Sequence, residues 1–569
     1  MTPNSVSISF IKFIPTASNI KDTHFSAVCS FKMRAYRIIN RVNKDLANSC
    51  RRTAGSYFSN ILKHITVSEF ASGINANYAG PSEARVTDVT HDSRQVREGT
   101  LFVAIKGLTM DGHRFVDDVM RRGAAGIISE YDPPADFVGA WLKVGNARES
   151  LAKAAAVING NPSHDLDLVG ITGTNGKTTT TYLCYALAEA AGVKPAMLTT
   201  VEYRIGDKSE VAVRTTPEAS DTNRFLRRAV DDGCGFAAME ASSQAIDLHR
   251  CDWLRFKVAV FTNLTQDHLD YHGTMENYFD AKKKLFDGRL GESPAACVIN
   301  IDDEYGRRLV DDLNSKGQKV ITYSQVASES EPPASAGGQF ADITANDIDV
   351  SLLKGTSFTL KTSFGDHQIV SPLVGRPHVY NMLAATGAAL ELGYDLDSIQ
   401  RGLSVCVGAP GRFERVPNDS GFAVVVDYAH TDDALLNTLK TARELTDGRI
   451  ITVFGCGGDR DRTKRVPMGR VAGENSDYVI ITSDNPRTED PLEIIRETEV
   501  GVKETGTQYE SMADRRDAIF RAVSIAKPND VVIIAGKGHE TYQIVGSDKF
   551  HFDDREVALE ALQRIADIA

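Results

Sequence analysis

The run Gly170-Ile171-Thr172-Gly173-Thr174-Asn175-Gly176-Lys177-Thr178-Thr179-Thr180 constrains this chain more than any other stretch. An apolar segment (166–173) leads into it, and a helix-forming segment (177–192) follows and stops at a glycine. Strand, glycine turn and helix in that order aim backbone N–H groups and the positive end of a helix at one point, which suits an anion. Lys177 then reaches the outer phosphates of a nucleoside triphosphate, and Thr178 offers a hydroxyl to Mg²⁺. A glycine-rich helix cap would explain the glycines alone, but not the Lys-Thr pair beside them. One detail departs from the usual spacing: the position five before Gly176 is Ile171, and the earlier glycine is Gly170.

The remaining pattern is α/β. Apolar runs of strand length recur at 99–107, 124–130, 256–264, 295–303, 422–430, 449–458, 477–485 and 530–538. They are bounded by turn residues and separated by helical segments, as in a parallel sheet covered on both faces. Several end in polar clusters, where open α/β sheets bind ligands. We expect three α/β domains: 61–165, a central phosphate-loop ATPase domain with a parallel sheet at 166–407, and a Rossmann-like domain at 408–569. A polar Ser/Pro/Gly-rich loop covers 324–339. Residues 1–60 stand apart, with nine Lys/Arg against Asp22 and Asp45. That leader reads as a disordered tail or as an organelle transit segment. The whole chain carries a net charge of −12, which argues against a nucleic-acid binder. No apolar run is long enough to span a membrane. The eight cysteines show no metal-site spacing and read as buried thiols.

Taken together, the motifs resemble the Mur ligases, ATP-dependent amide-forming enzymes of peptidoglycan synthesis. "GTNGKTTT" (173–180) carries the resemblance first. "THDSRQVREGTLFVAIKG" (90–107), "DGHRF" (111–115), "MEASSQAIDLHR" (239–250) and "FTNLTQDHLDYHGTMENYF" (261–279) follow. "GAPGRFERV" (408–416), "VDYAHTDDAL" (426–435), "GCGGDRDRTKRVPMG" (455–469), "TSDNPRTEDP" (482–491) and "GKGHETYQ" (536–543) complete it. The resemblance covers about residues 65–569. It implies a uridine-nucleotide-binding first domain, a central ATP-binding domain and a C-terminal domain for the incoming amino acid. It also implies activation of a carboxylate as an acyl phosphate, then attack by an amine. Such chemistry needs positioning and charge neutralisation rather than a nucleophilic side chain.

By the same resemblance, Gly173, Thr174, Asn175, Gly176, Lys177, Thr178, Thr179, Asn263, Asn381, Asp427 and His430 bind ATP. Lys177, Glu240, Lys282 and Arg412 carry catalysis. Mg²⁺ is held by Thr178, Glu240, His268 and Lys282, the last as a CO₂-derived carbamate. Ser93, Arg94 and His113 meet the uridine nucleotide, while Thr215, Thr216, Ser242 and Arg250 hold the muramoyl dipeptide. The "DNPR" run, Asp484-Asn485-Pro486-Arg487, marks members that add meso-diaminopimelate. Arg487 can pair bidentately with that substrate's second carboxylate, and Arg460, Gly536 and Glu540 complete the pocket. An ion pair to Glu489 or Asp490 is the alternative for Arg487. The substrates implied are ATP, meso-diaminopimelate and UDP-N-acetylmuramoyl-L-alanyl-D-glutamate. No nucleic-acid partner or membrane insertion is expected, and the chain is expected to be a monomer in the cytoplasm, or in a plastid stroma if 1–60 is a transit segment. A lysine-adding ligase, a folate-type polyglutamate ligase and a non-catalytic plastid scaffold are the competing readings. Gln244, Pro377-His378, Asp432 and "KRVPMG" depart from the family pattern.

Overall fold

The computed structural model describes residues 65–81, 83–107, 110–325, 341–352 and 354–567. The leader 1–60, with Cys29 and Cys50, and most of the polar loop 324–339 lie outside the described residues. Ile65–Ala569 forms one compact unit.

Three sheets organise that unit. The first has five strands in the order Asn77–Ala79, Trp141–Lys143, Gly126–Ser129, Thr100–Val103, Asp88–Thr90. The second has eleven. Its middle is parallel and runs Val320–Ser324, Ala296–Asn300, Val258–Phe261, Asp167–Thr172, Phe236–Glu240, Pro195–Leu198. Ile343–Ser351 adds one more parallel strand beside Val320–Ser324, and antiparallel strands extend both edges beyond: Gly355–Thr362 and Gly365–Ser371 on one side, Glu202–Ile205 and Lys208–Val211 on the other. The third sheet runs Glu414–Val416, Ala423–Asp427, Val531–Ala535, Ile450–Phe454, Tyr478–Thr482, Tyr509–Met512, and only the first of these is antiparallel.

Alternation along the strands explains the two-sided cores. Val169 and Ile171 face one way and pack with Leu183 and Leu187 of helix Lys177–Ala190 and with Met382 and Leu383 of helix Arg376–Glu391. Leu168 faces the other way, with Phe225 and Leu226 of helix Ala219–Asp231 and with Phe279. The third sheet repeats the scheme: Val425 joins Leu435 and Met468, while Val424 joins Ile519 and Leu562. Each such side chain contributes about 1.5–3 kcal/mol when fully buried. Both faces are covered, so the strand ends are where polar groups collect.

A charged pair locks the third sheet to its helices. Arg515, first residue of helix Arg515–Ile525, donates twice to the Asp554 carboxylate at 2.7 Å, and both side chains are fully buried. Arg515 Nη2 also donates to the Ala535 carbonyl at 3.0 Å, at the end of strand Val531–Ala535. Removing one member of such a pair strands the other charge in the interior. Asp554→Asn should therefore lower the stability of the unfolding transition that reports the third sheet by about 3–5 kcal/mol. Leu559→Ala, on the same helix but 39% exposed, should stay within about 0.5 kcal/mol. Urea titration of both variants by circular dichroism checks this.

Candidate active site

Strand Asp167–Thr172 ends at Gly173, whose φ is +149°, and helix Lys177–Ala190 starts after Gly176, whose φ is +85°. A Cβ on Gly173 would collide with the Thr262 hydroxyl, and one on Gly176 with Asn381 Oδ1. Both positions therefore require glycine. Gly170 acts differently. A Cβ there would meet the Phe256 ring at 2.7 Å, so it is a packing residue of the strand. This accounts for the irregular glycine spacing in the motif.

Asn263 braces the loop. Its side-chain oxygen accepts from Asn175 N at 2.9 Å, and its carbonyl from Thr174 N at 2.9 Å. The first-turn N–H groups of the helix have no partner within the helix, which leaves them for an anion. Lys177 Nζ folds back onto the carbonyls of Gly173 (3.0 Å) and Thr174 (2.9 Å). Lys282 Nζ, on helix Met275–Lys283, donates to the same Gly173 carbonyl at 2.7 Å and lies 4.6 Å from the centre of the Tyr278 ring. Tyr278 in turn meets the Thr174 hydroxyl at 3.2 Å. Burial lowers the pKa of both amines, and well below the ordinary lysine value for Lys282, where the charge of Lys177 adds to the effect and Asp267 opposes it.

Glu240 closes strand Phe236–Glu240 and is 1% exposed. It accepts from Thr200 N at 2.8 Å and lies 3.2 Å from the Thr200 hydroxyl. That hydroxyl donates to Thr215 at 3.1 Å. Beside it, Thr216 donates to the Glu240 carbonyl at 2.8 Å and contacts the Ser242 hydroxyl at 3.3 Å. Arg250 donates to the Thr216 carbonyl at 3.2 Å and pairs with Glu218 at 2.8 Å. Thr178 and Glu240 offer hard oxygen donors, which suit Mg²⁺. Among the described residues no group of three His, Cys, Asp or Glu forms a metal cluster. A bound ion would thus complete its shell from water and phosphate.

The third sheet approaches this loop through Arg412, whose positive charge is felt at Lys177. Its guanidinium lies 4.9 Å from the centre of the Tyr428 ring. Asp427 accepts from Phe413 N at 2.6 Å, Ala429 N at 3.0 Å and Thr438 Oγ1 at 2.9 Å, and burial raises its pKa despite these donors. His430 Nδ1 lies 2.9 Å from the Tyr428 carbonyl.

A second polar cluster forms where strands Tyr478–Thr482 and Val531–Ala535 end. Asn485 Nδ2 donates to Glu540 Oε2 at 2.8 Å. Lys537 Nζ, fully buried, donates to Asn485 Oδ1 at 3.1 Å and Glu540 Oε2 at 3.4 Å, and pairs with Asp484 at 3.6 Å. Arg487, at φ +52°, donates to the Gly458 carbonyl at 2.7 Å. No carboxylate pairs with it among the described residues. Glu489, its alternative partner, is instead held by Arg465 at 2.9 Å and Arg462 at 2.7 Å.

In the first sheet's region, Arg94 pairs with Asp92 at 2.7 Å and is 87% exposed. His113 lies between Asp111 (2.6 Å) and Ser129 (2.8 Å), against the Tyr131 ring. The Ser93 carbonyl accepts from Arg122 at 2.9 Å. Arg224 joins this region to the second sheet, donating to Asp88 (3.2 Å), Gln95 (3.1 Å) and the Val89 carbonyl (2.9 Å).

Three family descriptions match in order along the chain: "Mur ligase family, catalytic domain" over 85–159, "Mur ligase middle domain" over 171–389, and "Mur ligase, glutamate ligase domain" over 411–538. The UDP-N-acetylmuramoyl-L-alanyl-D-glutamate–2,6-diaminopimelate ligase of Geobacter sulfurreducens is 46% identical over 491 residues, covering 83% of this chain and 93% of the relative. The chain belongs to the Mur ligase family. A solved structure of a ligase of the same name is 32% identical, with a TM-score of 0.63, covering 84% of this chain and 95% of that one. The MurF ligase of Thermotoga maritima, solved in complex with ADP, shares the fold at 20% identity and a TM-score of 0.54, covering 85% and 99%.

In this Mur ligase, hydrogen bonds bring Gly173, Thr174, Asn175, Asn263, Lys177 and Lys282 together. Glu240 joins Thr215 and Thr216, and Asn485 joins Glu540. Other residues named from the sequence are not joined to these groups by hydrogen bonds among the described residues, although the His268 ring stands 6.1 Å from the Tyr278 ring. His268 is half exposed and lies 3.4 Å from Asp267, with no hydrogen bond to Glu240 or Lys282 among the described residues. Arg460 is exposed. Ser93 and Arg94 make no hydrogen bond to His113 among the described residues. Sequence reasoning missed Thr200, Tyr278 and Lys537. Tyr278 stands four residues before Lys282, the spacing that stacks side chains on a helix, so its signal was present. Two departures have physical readings. Asp432 opens helix Asp432–Glu444, where either proline or an acid is favourable. His378 is buried on helix Arg376–Glu391, and burial lowers its pKa to about 4.

Gly176→Ala would push a methyl into Asn381 and force a positive φ. ATP affinity should fall at least tenfold by calorimetry, whereas Gly192→Ala, with open space around it, should leave it within about twofold, since the only cost there is a strained helix end.

Proposed function

We propose that this chain joins meso-2,6-diaminopimelate to UDP-N-acetylmuramoyl-L-alanyl-D-glutamate, in peptidoglycan precursor synthesis. The dipeptide carboxylate attacks the γ-phosphorus of ATP, and ADP leaves. The diaminopimelate amine then attacks the acyl carbon, phosphate leaves, and the amine loses a proton. Residues 61–165 serve the uridine nucleotide, 166–407 ATP and 408–569 the amino acid. The loop 173–179 with Asn263 and Asn381 holds the triphosphate, and Asp427 and His430 meet the rest of the nucleotide. Lys177 and Arg412 offset the charge that builds up during phosphoryl transfer. Thr215, Thr216, Ser242 and Arg250 orient the dipeptide, while Ser93, Arg94 and His113 hold the uridine end. Thr178, Glu240, His268 and the Lys282 carbamate would hold Mg²⁺, which would offset negative charge on the phosphate oxygens. We place the enzyme in the cytoplasm as a monomer. Among the described residues no helix is long and apolar enough to cross a membrane.

One observation carries the choice of amine: Arg487 is held by a neutral carbonyl, with no carboxylate partner among the described residues, beside Asn485 and Glu540. A substrate carrying a second carboxylate and ammonium complements that set. L-lysine lacks the carboxylate and would leave Arg487 unmet. Phosphate release should therefore occur with diaminopimelate, with L-lysine at least about 100-fold poorer in kcat/KM, as expected when a site built for a charged group goes unfilled. Arg487→Ala should collapse that preference to within about tenfold by weakening diaminopimelate alone. Equal turnover of both amines by the unaltered chain sinks this reading, and no turnover of either by folded, ATP-binding protein favours a scaffold.

Lys282 supports the carbamate on chemical grounds. Only a neutral amine adds CO₂, giving a carbamate anion and releasing a proton. Burial lowers the Lys282 pKa, so the reactive neutral form becomes populated at lower pH than for an exposed lysine, and its share grows as pH rises. A carbamate signal from ¹³C-bicarbonate should strengthen with rising pH and be absent in Lys282→Arg. That variant should lose at least 100-fold in kcat. Full activity of Lys282→Arg would exclude the role.

A further inference from the structure

We propose that Lys537 is a positioning residue that fixes the orientation of the Asn485 amide, and so decides which groups the amino-acid pocket presents to the incoming amine. This rests on the proposed choice of amine. Lys537 follows Gly536 at the end of strand Val531–Ala535, and its side chain is fully buried. Its Nζ has oxygen neighbours: Asn485 Oδ1 at 3.1 Å, Glu540 Oε2 at 3.4 Å and Asp484 Oδ1 at 3.6 Å. An ammonium has three protons and no lone pair, so it meets an amide only through the oxygen.

Asn485 Oδ1 accepts a second hydrogen bond, from Ile544 N at 2.9 Å. Two groups that only donate therefore converge on one atom. Turning the amide over would set its NH₂ against both, losing two hydrogen bonds and leaving a buried ammonium facing N–H protons. The NH₂ is thus forced to the other side. One of its protons goes to Glu540 Oε2 at 2.8 Å. The second has no partner among the described residues and is left for a ligand. Glu540 Oε2 takes both Asn485 and Lys537, while its Oε1 accepts from no side chain or backbone N–H among the described residues. The network offers a ligand one amide proton and one carboxylate oxygen, with the Arg487 guanidinium adjoining: Arg487 Nη1 lies 3.4 Å from the Asn485 carbonyl. That set complements a group carrying a carboxylate and an ammonium, which is one head of an amino acid. Without Lys537, Ile544 N alone would orient the amide, and the Asp484 and Glu540 charges would face each other across the vacated space.

The test uses the full chain and four proteins: unaltered, Lys537→Met, Asn485→Ala and the double variant. The readouts are kcat, KM for meso-diaminopimelate, KM for ATP and melting temperature. Lys537→Met should raise the diaminopimelate KM at least tenfold and leave the ATP KM within about twofold. The double variant should be no more than about twofold worse than Asn485→Ala alone, because residues acting through one another are not additive. Multiplying losses, an unchanged diaminopimelate KM, or an ATP KM rising in step would overturn the proposal. Lys537→Gln separates donor from charge, and covers the case in which the methionine variant fails to fold. It keeps an N–H donor and removes the cation. Its diaminopimelate KM should lie within about fivefold of the unaltered chain; a loss as large as that of Asn485→Ala would show that charge alone matters, and the orientation role falls. Turnover of lysine in place of diaminopimelate by the unaltered chain overturns the pocket reading first. The same cycle run with lysine then reads the coupling of Lys537 to Asn485 by itself.

Discussion

The Gly173 carbonyl accepts from Lys177 and from Lys282, and the functional face depends on that arrangement. Neutral backbone oxygen holds both amines in place without supplying a counter-charge. Arg487 is treated the same way by the Gly458 carbonyl. Two buried arginines of the third domain are handled differently. Arg515 is matched by Asp554, and Arg465 by Glu489 and Glu497. A cation paired to a carboxylate has little attraction left for a passing anion, whereas one resting on a carbonyl keeps most of it. These five cations thus fall into two classes, while Lys537 combines a neutral amide oxygen with the carboxylates of Asp484 and Glu540. The unpaired class sits where the proposed function gathers triphosphate and carboxylates.

Holding unpaired cations inside a protein is costly, and the surrounding structure offsets that cost locally. Lys282 lies against the Tyr278 ring, whose face attracts a cation. Tyr278 also contacts Thr174, so one aromatic side chain supports both the loop and the lysine. Burial still lowers the pKa of Lys282. The same desolvation that makes an ammonium unfavourable there makes a neutral, reactive amine favourable. Arg412 works on a larger scale. It belongs to the segment leading into the third sheet, yet its charge reaches Lys177. A backbone contact steadies that segment: any Cβ on Gly411 would overlap Gly538, which follows the buried Lys537. The proposed amino-acid pocket and the phosphate loop are thereby linked through two glycines and an arginine.

Much of the fold could be read from the chain, because two-sided burial writes apolar runs that turn residues bound. The runs at 166–173, 477–485 and 530–538 became strands Asp167–Thr172, Tyr478–Thr482 and Val531–Ala535, each trimmed by a residue or more at the ends. At the carboxyl ends the trimmed residues, Gly173, Ser483 to Asn485 and Gly536 to Gly538, leave the ladder and form the polar loops. The outer strands of the second sheet were harder to read. Lys208–Val211 is exposed throughout, and Ile343–Ser351 is only partly buried, so neither carries a continuous apolar run. Their antiparallel pairing is a tertiary outcome with no local signature. The phosphate loop was legible because its geometry demands particular residue types. Even there, the role of Gly170 emerged only from its contact with Phe256.

Lys537 shows why the rest stayed hidden. A lysine between two glycines carries no periodicity and no ligand spacing, and as a residue type it favours solvent. Its meaning comes from three oxygens supplied by Asp484, Asn485 and Glu540. Two of those lie about fifty residues away in sequence, at the end of a strand two places across the sheet. The same holds for Thr200, whose contact with Glu240 exists only because neighbouring parallel strands end side by side. Parallel sheets place distant segments in register at their carboxyl ends. Motifs named along the chain are therefore halves of sites. The residues that complete them are fixed by strand order, which no single stretch of sequence contains.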